Sequence, residues 1–149
     1  MAFKFNLETV LKHRTRLEEA AQREFAEAQQ AVDQILNKIE SMYTRLDEVR
    51  EQIAQIQTKG QGDKISEIRE MESFIFGHKI RIDQERLKAR ELMIVAEEKQ
   101  EALILAAREK KVLVKLKDKR LVEFKEWLNR MEAKELDDQT SVRHGWGKR

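Results

Sequence analysis

Between Phe25 and Ile56 the apolar residues follow one another at alternating steps of three and four: Phe25, Ala28, Val32, Ile35, Ile39, Met42, Leu46, Val49, Ile53 and Ile56. A repeat averaging 3.5 residues keeps one stripe turned toward a neighbouring helix, so this stretch predicts a coiled-coil seam. Upstream, Leu7, Val10, Arg14, Leu17 and Ala21 keep the alternation, but the step from Ala21 to Phe25 is a second four in a row. That reads as a stutter, which locally unwinds a supercoil. Asn6 is placed to cap the helix, Glu8 to meet the positive end of its dipole, and Phe5 with Val10 to form a hydrophobic staple. Helix one is expected over about residues 7–57.

Two of the chain's five glycines, Gly60 and Gly62, then interrupt the pattern in a sequence that has no proline. After this turn, expected over about residues 58–63, Asp63 or Ser66 can cap a second helix. Its seam shows Ile68, Ile75, Ile82, Ala89, Ala96 and Leu103 at intervals of seven, with Met71, His78, Leu92, Ala106 and Leu113 between them. The pattern resumes as Leu121, Phe124, Leu128 and Met131. Periodicity is lost only after Leu136. Helix two is therefore expected over about residues 64–136 and a flexible tail over 137–149.

Two long heptad helices joined by a short break predict an all-α fold: an antiparallel two-helix coiled-coil hairpin, one domain, with a longer second helix. With the turn at Gly60 to Gly62, Leu7 falls beside about Lys115. About twenty residues of helix two are then left without an intramolecular partner, an overhang of roughly 30 Å. The overhang still carries an apolar stripe of Leu121, Phe124, Leu128 and Met131, with Trp127 beside it.

Composition agrees with narrow seams. More than half of the 149 residues are Ala, Glu, Lys, Leu or Arg, 39% are charged and 6% aromatic. Net charge is only +2, because 30 basic residues are interspersed with 28 acidic ones, which speaks against a nucleic-acid surface. There is no cysteine for a disulfide or thiolate metal site. The longest nearly uncharged apolar run, "ALILAA", is far shorter than the roughly 20 residues that span a bilayer. The opening "MAFKFNLETV" lacks the features of a secretory signal, and a cytoplasmic protein is expected.

Candidate chemistry is sparse. The sequence holds no G-x-x-x-x-G-K-[ST], H-E-x-x-H, G-x-S-x-G or C-x-x-C, and the hairpin register brings no two of His13, His78 and His144 together. The expectation is no enzyme, no cofactor and no metal. "SFIFGH", residues 73–78, says more. Ile75 belongs to the seam, so Phe74 and Phe76 cannot both point into it, and one ring belongs outside or at the edge. The register also sets Tyr43 across from about Lys79, which puts Tyr43, Phe74 and His78 in one aromatic patch, a candidate protein-binding surface. The competing reading is a broad local core, with Gly77 admitting close helix packing. Residues 108–120, "REKKVLVKLKDKR", carry seven basic against two acidic residues. They read first as a solvated face and otherwise as a surface for an acidic partner, anionic lipid or nucleic acid, the last disfavoured because no aromatic platform is interleaved with the charges. The apolar overhang suits either self-association or docking into a different protein.

The segments "FKFNLETVLKHRTRLEEAAQREFAEA" (residues 3–28), "EMESFIFGHKIRID" (70–83) and "AAREKKVLVKLKDKRLVEFKEWLNRMEAKELDD" (106–138) resemble the FliJ family of flagellar type III export proteins. The resemblance implies an antiparallel coiled coil similar to the central stalk of rotary ATPases, without an active site of its own. It also implies three partners: the hexameric export ATPase, a membrane-embedded export gate, and export chaperones. By that analogy the terminal end with Leu121, Phe124, Trp127, Leu128 and Met131 would enter the ATPase ring, and Tyr43, Phe74 and His78 would meet the gate. The expected location is cytoplasmic, peripherally associated with the inner membrane. Alternatives of similar design are a stalk protein of a virulence-type secretion system and a generic coiled-coil scaffold that self-associates.

Overall fold

The computed structural model describes residues 2–60 and 62–147. Gln61 of the expected turn and residues 148–149 of the expected tail lie outside these. Two helices account for most of the chain, α1 at Glu8–Thr58 and α2 at Ile65–Gly147, with a 3₁₀ turn at Gly62–Lys64 between them and no strand among the described residues. The fold is all-α, a helical hairpin with a longer second helix. Its contacts separate into two units, one formed by residues 20–103 and the other by residues 1–19 with 104–149.

In the first of these units, Val32, Ile35, Ile39, Leu46 and Val49 of α1 are buried, as are His78, Ile82, Ala89 and Ala96 of α2. Ile35, Ile39 and Ala89 form the central cluster, with Leu92 packed on it. The small Ala89 leaves room for the two isoleucines. The antiparallel direction is written in the ion pairs: Lys38 reaches Glu85 at 3.2 Å, and Lys99, further along α2, reaches back to Glu24 at 3.2 Å. Glu85 also meets Lys88 at 3.4 Å. The hydrogen bond from Lys38 is the main influence holding the Glu85 carboxyl below the usual carboxylate range; desolvation opposes it, and the hydrogen bond from Lys88 adds to the lowering.

α1 ends where Gly60 turns left-handed, with φ at 64°, a conformation in which a Cβ is strained. The Gly60 N–H donates to the Gln57 carbonyl at 3.2 Å and the Lys59 N–H to that of Gln55 at 3.1 Å, which satisfies carbonyls the helix would otherwise leave open.

The other unit departs from the expected pattern in three respects. First, there is no stutter. Leu11 is buried and Glu18 half-buried, whereas Val10 and Leu17 are exposed. The inward positions are therefore Leu7, Leu11, Arg14, Glu18 and Ala21, which keep the regular alternation into Phe25. The seam carries charge here because α2 answers it: Arg14 pairs with Glu109, and Lys110 lies 3.7 Å from Glu18. With Val10 exposed, it makes no staple with Phe5, which is buried beneath the Arg120 guanidinium at 5.6 Å from the ring centre.

Second, the chain before α1 covers part of α2 that was expected to be bare. Phe3 packs on Phe124 with ring centroids 5.7 Å apart, and the Asn6 side-chain oxygen accepts a hydrogen bond from Arg120. The physical reason is reach, since non-helical residues advance up to about 3.3 Å each against 1.5 Å for helical ones. Six or so residues of extended chain therefore pass more of α2 than the helical register allows.

Third, α2 does not end near Leu136 but continues to Gly147. The heptad pattern stops because burial stops: every described side chain from Asn129 to Arg143 is exposed. Helicity persists because no proline or glycine interrupts residues 129–144, and the Thr140 hydroxyl donates to the Leu136 carbonyl at 2.8 Å within the ladder.

Two glycines should respond oppositely to alanine in chemical denaturation. Gly60→Ala forces a Cβ into the left-handed region and should lower stability by about 1 kcal/mol. At Gly77 an added Cβ meets nothing within 4 Å, so Gly77→Ala should raise it by about 0.5–1 kcal/mol. That open space also removes the close-packing role expected of Gly77.

Glu85 predicts a pH dependence. Its folded pKa is lowered, so its contribution is complete above the ordinary carboxylate value and is lost as the pH falls through the lowered one. Thermal melts of wild type and Glu85→Gln should differ most near neutrality and converge in acid.

Candidate protein-binding surfaces

Phe74 lies at the edge of the seam and is half-buried. Its ring stacks on the His78 imidazole at 4.9 Å and an interplanar angle of 20°. Arg45 from α1 and Arg81 from α2 place their guanidinium groups 5.7 and 5.8 Å from its centre. The four residues make an aromatic plane ringed by cationic donors, which suits an acidic or carbonyl-rich partner surface. A groove beside it is lined by Arg45, Val49, Gln52, Glu67, Glu70, Met71 and Phe74.

His78 itself is buried, and its Nε2 lies 2.8 Å from the Met42 carbonyl oxygen. A carbonyl only accepts, so the Nε2 N–H is the donor. His78 thus ties α2 to α1 and braces the Phe74 ring from behind. Tyr43 is exposed on α1, but no ring contact or hydrogen bond joins it to Phe74 or His78 among the described residues. Of the three residues expected in one patch, the structure brings two together. Arg45 and Arg81 were missed; the signals were the place of Arg45 near Phe74 in the hairpin register and the place of Arg81 two turns along the same helix. Of the two phenylalanines flanking Ile75, Phe76 is the one outside, at 71% exposure.

At the other end, Leu121, Phe124 and Leu128 are half-buried, and Trp127 and Met131 are 40% and 42% exposed. Phe124 contacts Trp127 at 6.0 Å as well as Phe3, so an aromatic cluster of three rings sits where the N-terminal segment gives out. Beyond it α2 runs on with the described side chains from Asn129 to Arg143 in solvent. Within the basic stretch preceding this end, Lys110, Lys117 and Arg120 are engaged by Glu18, Glu8 and Asn6, so part of its charge serves the hairpin.

Among the described residues no group of three His, Cys, Asp or Glu side chains is placed to hold a metal ion, and no helix is long and apolar enough to cross a membrane.

The described residues form a two-helix hairpin that carries aromatic and cationic faces on its surface. A protein-family model described as the flagellar FliJ protein matches residues 3–148, essentially the whole chain. The chain belongs to the FliJ family, and is a component of flagellar protein export. No curated protein and no solved structure matches it.

Replacing His78 by Ala should lower stability by about 1–3 kcal/mol in urea unfolding, because a buried hydrogen bond and the stack beneath Phe74 are lost together. An unchanged midpoint would mean that His78 does not tie the helices.

Proposed function

We propose that this protein acts as a central-stalk-like partner of a hexameric flagellar export ATPase, promoting assembly and activity of its ring, and that it links the ATPase to the membrane export gate and to substrate chaperones. The observation that carries this reading is the behaviour of α2 past Phe124. It remains helical to Gly147 with neither α1 nor the N-terminal segment beside it, and it presents Trp127 and Met131 to solvent. Apolar side chains on a lone helix gain about 1.5–3 kcal/mol each on full burial, and a ring-shaped partner provides such burial. In this reading Leu121, Phe124, Trp127, Leu128 and Met131 form the end that enters the ring.

The gate-facing surface is Phe74 with its two arginines, supported by His78 from beneath, while Tyr43 contributes to an adjoining part of the same side. Anchors of this kind, an aromatic ring flanked by guanidinium groups, dominate the energetics of many interfaces. The protein then works from the cytoplasm, held peripherally at the inner membrane through its partners.

The double variant Trp127→Ala with Met131→Ala tests the ATPase role. Both side chains are substantially exposed, so melting should move by no more than about 1 kcal/mol, while stimulation of the cognate ATPase and its assembly into hexamers should be lost. A double variant that stimulates like wild type places the ATPase contact elsewhere, and a wild-type chain without effect on the ATPase favours the scaffold reading.

A further inference from the structure

α1 covers one face of α2 in the unit of residues 20–103, yet the opposite face of α2 is not polar. Phe76, Ile80, Leu87 and Ile94 are 71%, 46%, 58% and 56% exposed. At 100° per residue they fall within about 40° of one another, on the far side of the helix from buried Ile82, Ala89 and Ala96. Ile80, Leu87 and Ile94 stand seven apart, the spacing that matches another helix.

The charges bordering this stripe identify which helix. Asp83 and Arg90 lie on one flank, four residues before Leu87 and three after it. Both are exposed, and neither has an ion pair among the described residues. With Arg86 and Leu87 they line a shallow concavity. A second copy of the helix turned end for end about Leu87 brings like flank to like flank. Ile80 then comes level with Ile94 of the copy, and Leu87 meets Leu87. Asp83 comes within one residue's rise, about 1.5 Å along the axis, of Arg90 of the copy, and the two-fold repeats that pair on the other side. Further out on the same flank, Lys79 comes within two residues' rise, about 3 Å along the axis, of Glu97 of the copy. A parallel two-fold copy sets this flank against the opposite one, so Asp83 meets Gln84 in place of Arg90.

We propose that the outward stripe of α2 is the interface of an antiparallel homodimer with its two-fold axis at Leu87, held by Ile80, Leu87 and Ile94 and aligned by reciprocal Asp83–Arg90 pairs. The proposal is independent of the ATPase reading, since it uses neither the end of α2 nor the Phe74 surface.

The chain has no cysteine, so single cysteines report the geometry directly. On mild oxidation of the full-length protein, Leu87→Cys should form a disulfide-linked dimer. Ile80→Cys and Ile94→Cys should each fail alone and cross-link when mixed; a parallel dimer would link all three alone and overturn the proposal. In sedimentation equilibrium the wild type should dimerise and Leu87→Asp should be monomeric with its helical circular dichroism retained. Asp83→Arg and Arg90→Asp should each weaken association by about tenfold or more, with the double exchange restoring it. A wild type that stays monomeric across the concentration series overturns the proposal and leaves the stripe to a helix of another protein. So does a dimer indifferent to Leu87→Asp, or a double exchange no better than the single ones.

Discussion

Two helices can hide only one stripe of each other, and everything else about this chain follows from that limit. No described side chain is sealed to below 2% exposure, even at the centre of the seam. A seam so thin gains little per turn, so stability has to come from length, and α1 supplies it with Val32, Ile35, Ile39, half-buried Met42, Leu46 and Val49 in unbroken alternation. Opposite them α2 offers Ile82 together with smaller or polar residues, Ala89, Ala96 and His78. The pairing of large with small keeps the helices together where two rows of bulky side chains would hold them apart.

Thinness also explains why charge enters the seam without penalty. Arg14 with Glu109 and Glu18 with Lys110 occupy inward positions, but each remains partly solvated, so the desolvation that makes buried ion pairs costly is largely avoided. Their contribution is more to register than to energy. Each surface pair is worth at most about 1 kcal/mol, whereas a slipped register would lose several of them and misalign every apolar step.

The hairpin and most of its seam were legible in the sequence because heptad spacing is a direct record of burial. Where the record was misread, adjacent residues offered two phases and the outward one was followed. Val10 and Leu17 were taken for the seam, while Leu11 and Glu18 occupy it, and a stutter was inferred that the helix does not contain. The same equation of pattern with structure ended helix two at Leu136, although a helix without a partner loses its pattern before it loses its hydrogen bonds. For the surfaces, Phe74 beside His78 was readable from their spacing of four on one helix, and the seam position read for His78 agrees with its burial, but the bond it makes there was not readable. A histidine donor meeting the Met42 carbonyl depends on side-chain direction that spacing alone does not encode. Arg45 and Arg81 were hidden among thirty basic residues of which most serve only solvation.

The hydrogen bonds across the hairpin also differ in how far apart their partners lie along the chain. Met42 and His78 are 36 residues apart, Asn6 and Arg120 are 114. Closing the longer loop from an open chain costs about 1 kcal/mol more in conformational entropy. Contacts beside the turn therefore close cheaply, and each pair formed shortens the loop for the next, so the hairpin assembles like a zip pulled outward from Gly60. The order reverses on opening. Fraying begins at Phe3 and Asn6, which places the least persistent contacts of the chain around Phe124 and the most persistent around His78.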